Sequence, residues 1–357
     1  MSTLKVDSIE NSGSTVNFTT NVQVGNGFVK REYTSSATAP EGANNGALWW
    51  NTDNGVLNIY LNGTWYSVDT TPPPILGDRG VFGGGVTINT INYISISTTG
   101  NASDFGDLTV ARYFTSACSN GSRGVFGGGE EAGNNNNTID YITIATPGNA
   151  VDFGDLTVGR GSSGSCSDFT RGLFGGGSNV NTNTIDYITI ATPGNAIDFG
   201  DLTISGAAPA ACSDQVRGLF SGYVNHNHID YVTIQTLGNA VNFGDLTVAR
   251  YAMGAASDLT RAVFGGGAGT GGASGNQDVI DYVTISTTGN ATDFGNLTVA
   301  RYYPAACSNG TRAVFGGGRS SVNLNTLDYV TVATVGNATD FGDLTESMWG
   351  PASCSGD

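Results

Sequence analysis

Arg123-Gly124-Val125-Phe126-Gly127-Gly128-Gly129 is a phrase that this chain repeats. It or a close variant starts at Arg79, Arg123, Arg171, Arg217, Arg261 and Arg312, at intervals of 44, 48, 46, 44 and 51 residues. Behind each copy comes a variable loop rich in Asn, Gly and Ser. A strand-like phrase follows, such as Ile139-Asp140-Tyr141-Ile142-Thr143-Ile144. After a turn around Pro147-Gly148-Asn149 comes Asp152-Phe153-Gly154-Asp155-Leu156-Thr157-Val158. A short run, usually ending in Cys-Ser, closes the repeat, as at Thr115-Ser116-Ala117-Cys118-Ser119. Self-similarity at a near-constant period marks a repeat architecture.

Each repeat holds four short β-type runs punctuated by turn residues, the spacing of an antiparallel sheet. Ile139 and Tyr141 fall on one face of their strand, Ile142 and Ile144 on the other. A sheet apolar on both faces is covered on both. Six such sheets in succession predict an all-β, six-bladed β-propeller over residues 78–357. An open β-solenoid is the competing fold. The first copy, opening at Asp78-Arg79, lacks the Cys-Ser strand, and Ala352-Ser353-Cys354-Ser355-Gly356-Asp357 matches the missing piece. The C-terminal strand is therefore expected to complete the first blade and close the ring, which leaves no open edge there.

Composition agrees with a turn-rich β protein. Of 357 residues, 54 are Gly and 34 Asn, and only 12% are charged. Fourteen Lys and Arg are too few for a coiled coil, and 39% hydrophobic residues argue against disorder. The net charge of −16 leaves no basic stripe for nucleic acid and disfavours anionic membranes. No apolar run reaches the 18 residues that suggest membrane insertion, and Met1–Asp7 lacks the apolar core of a signal peptide. Synthesis in a cytoplasm is expected.

Residues 1–70 share none of the repeat phrases and hold both lysines and three of four tryptophans. The Pro-rich stretch 71–77, with Pro72-Pro73-Pro74, reads as a stiff linker. Asn54-Gly55 and Asn62-Gly63 separate the apolar runs at 46–52, 56–61 and 64–68, which predicts a three-stranded meander. So short a segment has little core of its own, so its aromatics are expected to pack on a neighbour or another copy.

The order of a small-residue strand, Val-Phe-Gly-Gly-Gly, a Tyr-containing strand and a short last strand resembles Kelch repeats over Asp78–Asp357. The chain departs from that family at Ser221-Gly222-Tyr223, and Phe stands roughly where the Kelch tryptophan would be. The opening Ser2-Thr3-Leu4-Lys5-Val6, with Gly46-Ala47-Leu48-Trp49-Trp50-Asn51-Thr52 and Gly63-Thr64-Trp65, resembles the small β modules of bacteriophage tail-fibre and virion appendage proteins. This implies an attachment or oligomerisation module that contacts other virion proteins and carries a distal domain. A homo-oligomer is expected, the trimer being the fibre arrangement.

The variable loops are the candidate binding surface, through Asn134, Asn135, Asn136, Asn179, Asn181, His226, His228 and Asn276. Constant scaffold with divergent loops is how binding faces are built, and their amides and hydroxyls suit sugar hydroxyls. The alternative is unselected drift. His226 and His228, on one face of a strand, suggest a weak metal site that lacks a third ligand. A structural ring is expected from Arg123, Arg171, Arg217, Arg261 and Arg312 together with Arg79, Arg112, Arg160, Arg250 and Arg301. Their expected partners are the repeated aspartates, including Asp140, Asp186, Asp230, Asp281 and Asp328. Asp152 and Asp198 of the Asp-Phe-Gly-Asp phrase are assigned to the same ring, as turn residues capping backbone amides, with calcium as the alternative. The five cysteines, at equivalent repeat positions and interchanging with Ala256, read as buried free thiols. No catalytic constellation and no cofactor motif stands out. The expectation is a non-enzymatic phage virion protein, a tail-fibre or appendage component that presents its propeller to a host surface, a glycan being the candidate ligand. A decoration protein of capsid or tail, and a polysaccharide hydrolase, are the alternatives.

Overall fold

The computed structural model describes residues 9–12, 15–18, 22–24, 27–29, 33–36, 38–39, 42, 47–51, 56–61, 64–68, 77–178, 182–224, 226–269 and 275–356. The chain divides into two compact units, Met1–Pro73 and Pro74–Asp357. All regular structure among the described residues is β, and no helix there is long and apolar enough to cross a membrane.

In the first unit, Ile9–Ser12 pairs with Thr15–Phe18 and Val22–Val24 with Gly27–Val29, both antiparallel. Leu48–Asn51, Val56–Leu61 and Thr64–Val68 form the expected meander. A fourth strand, Tyr33–Ser36, runs parallel to Leu48–Asn51 and was not legible as part of it. The Asn54-Gly55 and Asn62-Gly63 turns, the opening at 2–6 and the prolines at 72–74 lie outside the described residues.

The second unit contains six four-stranded antiparallel sheets. Sheet 2 is typical, with Ser116–Ser119, Arg123–Gly127, Thr138–Thr143 and Val151–Asp155 in sequence and in space. Sheets 3 to 6 repeat this order, beginning at Gly164–Ser167, Ala210–Ser213, Gly254–Ser257 and Ala305–Ser308. Sheet 1 takes its first strand from the other end of the chain. Ala352–Gly356 pairs with Arg79–Gly85, with Cys354 opposite Val81, and Ile88–Ser95 and Ser103–Asp107 follow.

The core lies between successive sheets. Cys118, Val125, Ile139 and Phe153 of sheet 2 pack on Phe174, Ile188 and Ile190 of sheet 3, and sheet 6 packs on sheet 1 in the same way. Fully burying each such side chain contributes about 1.5–3 kcal/mol. Gly127 of the glycine triplet faces Phe174, and a Cβ there would lie 2.7 Å from the ring. The triplet is therefore the socket for the next sheet's phenylalanine.

Two further sets of bonds run once round all six sheets and close. Each strand-opening arginine donates to a carbonyl of the next sheet: Arg79 to Ile144, Arg123 to Ile190, Arg171 to Ile234, Arg217 to Ile285, Arg261 to Val332 and Arg312 to Ser97. Each turn asparagine accepts from a backbone N–H of the preceding sheet, as Asn149 does from Asp107 and Asn101 from Asp343.

Two expectations are corrected here. Arg123, Arg171, Arg217, Arg261 and Arg312 each bridge to the next sheet, but among the described residues none is paired with an aspartate. Arg123 lies opposite Thr143, whereas Asp140 lies opposite Phe126, three residues or about 10 Å along the strand. The guanidinium instead sits 4.3 Å from the centre of the Tyr141 ring, and the other five repeat that stack. The Asp-Phe-Gly-Asp phrase is the outermost strand and not a turn. Asp152 and Asp198 are exposed on it, and the turn asparagine does the capping. Gly154 is required because a Cβ would come within 2.6 Å of the Gly194 backbone in the next sheet.

Candidate functional site

The site grows from the six segments that lead from each outer strand to the next inner one. Each is anchored at its base by a buried polar group. Thr109 Oγ1 donates to Asp140 Oδ1 at 2.6 Å, and Arg112 Nη2 to Asp140 Oδ2 at 2.9 Å. The pairs Arg160–Asp186, Arg250–Asp281 and Arg301–Asp328 repeat this with both partners fully buried. Burial pushes each arginine below its ordinary value and the facing aspartate opposes the shift. This second arginine set is the one that makes the expected ion pairs.

Sheets 1 and 4 break the pattern and repair it. Gly206 stands where sheet 4 needs an arginine, and Tyr223, in place of the last triplet glycine, fills the space. Its hydroxyl donates to Asp230 at 3.0 Å, and His228 Nε2 lies 3.1 Å from the same carboxylate. In sheet 1 the ion pair becomes neutral. Asn92 replaces the aspartate, accepts from Thr345 and reaches Met348 Sδ, which stands in for the arginine.

Beyond each anchor come two residues at the rim of a common cavity. The second residue of all six pairs lines this space of about 70 Å³, which Thr115, Pro209, Pro304 and Pro351 also border. The second rim residue takes a left-handed backbone every time: Phe114 (φ 57°), Ser162 (51°), Ala208 (63°), Ala252 (58°), Tyr303 (53°) and Gly350 (68°). That conformation costs a non-glycine residue about 1–2 kcal/mol and persists only where the surroundings enforce it. The enforcement is a chain of backbone bonds, Phe114 to Gly350, Ser162 to Phe114, Ala208 to Ser162, Ala252 to Ala208 and Tyr303 to Ala252.

The variable loops stand on this same rim. Tyr113 and Glu130 exchange backbone bonds, as do Tyr302 and Arg319, and Tyr251 pairs with Ala268. The rim is lopsided. Sheets 3 and 4 contribute Gly161-Ser162 and Ala207-Ala208 and sheet 5 Tyr251-Ala252, whereas sheets 6, 1 and 2 contribute Tyr302-Tyr303, Trp349-Gly350 and Tyr113-Phe114. Phe114 and Tyr303 stack with centres 4.1 Å apart, and Trp349 meets Phe114 edge-on at 5.3 Å. Burial pushes the Tyr303 hydroxyl up to about 12. Tyr113 is raised by burial and then by Glu130, to which it is hydrogen-bonded. Arg319 lies over Trp349 at 4.6 Å.

The expected loop residues divide into several roles. Asn135 accepts from Gly161 N at 2.9 Å, Asn136 accepts from Thr138 N, and exposed Asn134 reaches Ala132 O, so these three mainly shape the loop. Asn276 donates to the Arg319 carbonyl and steadies that residue. His228 belongs to the sheet 4 anchor and His226 is exposed. Asn179 and Asn181 lie outside the described residues. The five cysteines are free and buried, and burial drives their thiols up, that of Cys354 to about 12. No cluster of three His, Cys, Asp or Glu side chains suited to a metal occurs among the described residues.

Sequence reasoning missed Tyr113, Phe114, Tyr302, Tyr303, Trp349 and Arg319. The signal was present. Trp349 is the one tryptophan after residue 70, and Arg319 the one cation there outside the repeated positions. No protein-family model matches the chain, and no curated protein is similar to it in sequence.

Proposed function

We propose that the six sheets are the blades of a divergent, Kelch-like six-bladed β-propeller. In this reading the chain is a non-enzymatic component of a bacteriophage virion, a tail-fibre or appendage protein that presents the loop-bearing rim to a glycan on the host surface. Support for the propeller comes from bonds that run through all six sheets and return to the first. The observation that carries the binding role is the lopsided rim. A scaffold that repeats six times puts five of its six rim aromatic rings on one half of one mouth, beside Asn-, Ser- and Glu-bearing loops. Sugars offer an apolar C–H face and a periphery of hydroxyls, and rings flanked by polar groups complement both.

Serum raised against residues 78–357 tests the placement on intact particles. Label at fibre or tail tips is the expected result; label spread over the head points to decoration, and unlabelled particles end the virion reading. Binding of the full chain to a glycan array tests the ligand class, and release of sugar from a bound polymer would overturn the non-enzymatic assignment.

A further inference from the structure

Arg319 is out of place in this molecule. Every other arginine of the second unit sits at a repeated position, held by a carbonyl or an aspartate of the scaffold. Arg319 is half-buried, has no acidic group within ion-pair distance among the described residues, and rests its guanidinium on Trp349. Its backbone is fixed by reciprocal bonds with Tyr302, by Asn323 and by the Asn276 amide. Beneath it, Trp349 Nε1 is buried and has no acceptor among the described residues. Two neighbouring donor groups, one of them charged, thus lack an acceptor at the aromatic half of the mouth.

A guanidinium stacked on an indole keeps its in-plane N–H fork free for a planar, two-oxygen acceptor. We propose that Arg319 and Trp349 form a subsite for the carboxylate of an acidic sugar, with Tyr302 and Tyr113 beside it to receive the pyranose ring. This deepens the glycan reading and rests on it. A neutral sugar would satisfy the rings but leave the one off-repeat cation without a partner. A polyanion meets an overall charge of −16, so recognition falls to this local pair and strengthens as added salt screens the distant repulsion.

The test uses the full chain on an array of uronate- and sialate-containing oligosaccharides and their neutral counterparts, followed by titration calorimetry with the best acidic and neutral members. The expected result is a preference for the acidic member. Arg319→Gln should cut that affinity about ten- to a hundredfold and leave the melting temperature and any neutral binding unchanged. Arg319→Lys, which keeps the charge but not the fork, should fall between. Equal binding of acidic and neutral members, or an Arg319→Gln variant that keeps its acid preference, overturns the carboxylate subsite while the glycan reading stands. An array with no bound member removes both.

Discussion

Replacing the Arg160–Asp186 pair by Met and Asn tests whether the anchors act as charge pairs or merely as fillers. The two side chains are fully buried and 2.7 Å apart. Sheet 1 carries Met348 and Asn92 at the same places, so the double variant transplants a pair that this chain already accommodates. Removing one partner of a buried pair costs about 3–5 kcal/mol, because the other charge is left buried and uncompensated. Arg160→Met and Asp186→Asn should each lose that much. The double variant leaves no charge behind. It gives up the bonds from Arg160 to Thr184 O and Phe174 O, both 3.1 Å, at about 1 kcal/mol each. It also removes an Nε–H that is buried without an acceptor. The combined loss should therefore be about 2 kcal/mol, well short of the roughly 6–10 kcal/mol that additive singles would give. Guanidinium unfolding of the full chain, followed by circular dichroism, supplies the cycle. Additive losses would refute the reasoning.

Three further outcomes follow from the same geometry. Arg171→Ala breaks the stack on Tyr187 and one carbonyl bond on a half-buried side chain; about 1–2 kcal/mol is expected, less than for Arg160, and a larger loss would count against the ranking. Asp78 is subject to desolvation, which raises its pKa, but bonds from Ser95, Ser97 and Asn309 outweigh this and hold it below its ordinary value. Its stabilisation is full above the ordinary carboxyl pKa and disappears as pH falls through the lower folded one, so Asp78→Asn should weaken the fold at pH 7 and converge with wild type once the pH lies below that folded value, as unfolding curves across pH would show. Replacing Tyr113-Phe114 by Gly-Ser, the residues sheet 3 carries at 161–162, should leave the protein folded by circular dichroism yet abolish glycan retention; retained binding would move the site off the aromatic half.

How much was legible depended on where each residue's partner lay. Ile139, Tyr141, Ile142 and Ile144 announced a doubly covered strand because the information is local and has period two. The closing strand at Ala352 was legible because the repeat itself showed what was missing at Asp78. Asp152-Phe153-Gly154-Asp155 was misread because Asp and Gly carry turn preferences. The pressure that put glycine there comes from the Gly194 backbone, 40 residues away in sequence and in contact only across sheets. The arginine partners were assigned by type, and type was right for Arg112, Arg160, Arg250 and Arg301. It failed for Arg123 and its equivalents because a carboxylate about 10 Å along a strand is out of reach, and a tyrosine face and a neighbour's carbonyl are not.

In a scaffold repeated six times, a residue that every sheet needs sits at a repeated position, so departures carry the information. They are of two kinds. Tyr223 for an arginine, and Met348 with Asn92 for an ion pair, each restore the volume and hydrogen bonding of what they replace. Such departures keep the anchor and say nothing about a ligand. Phe114, Tyr303, Trp349 and Arg319 stand in for no anchor group, since the corresponding rim positions of sheets 3 and 4 are Gly, Ala, Ser or Val and still form their sheets. They also sit on or beside the backbone that bears left-handed conformations at non-glycine residues, a cost the surrounding bonds must offset. Departures without a counterpart in sheets 3 and 4, gathered on one side of one rim, are therefore the residues on which the proposed binding role rests and the first to substitute in testing it.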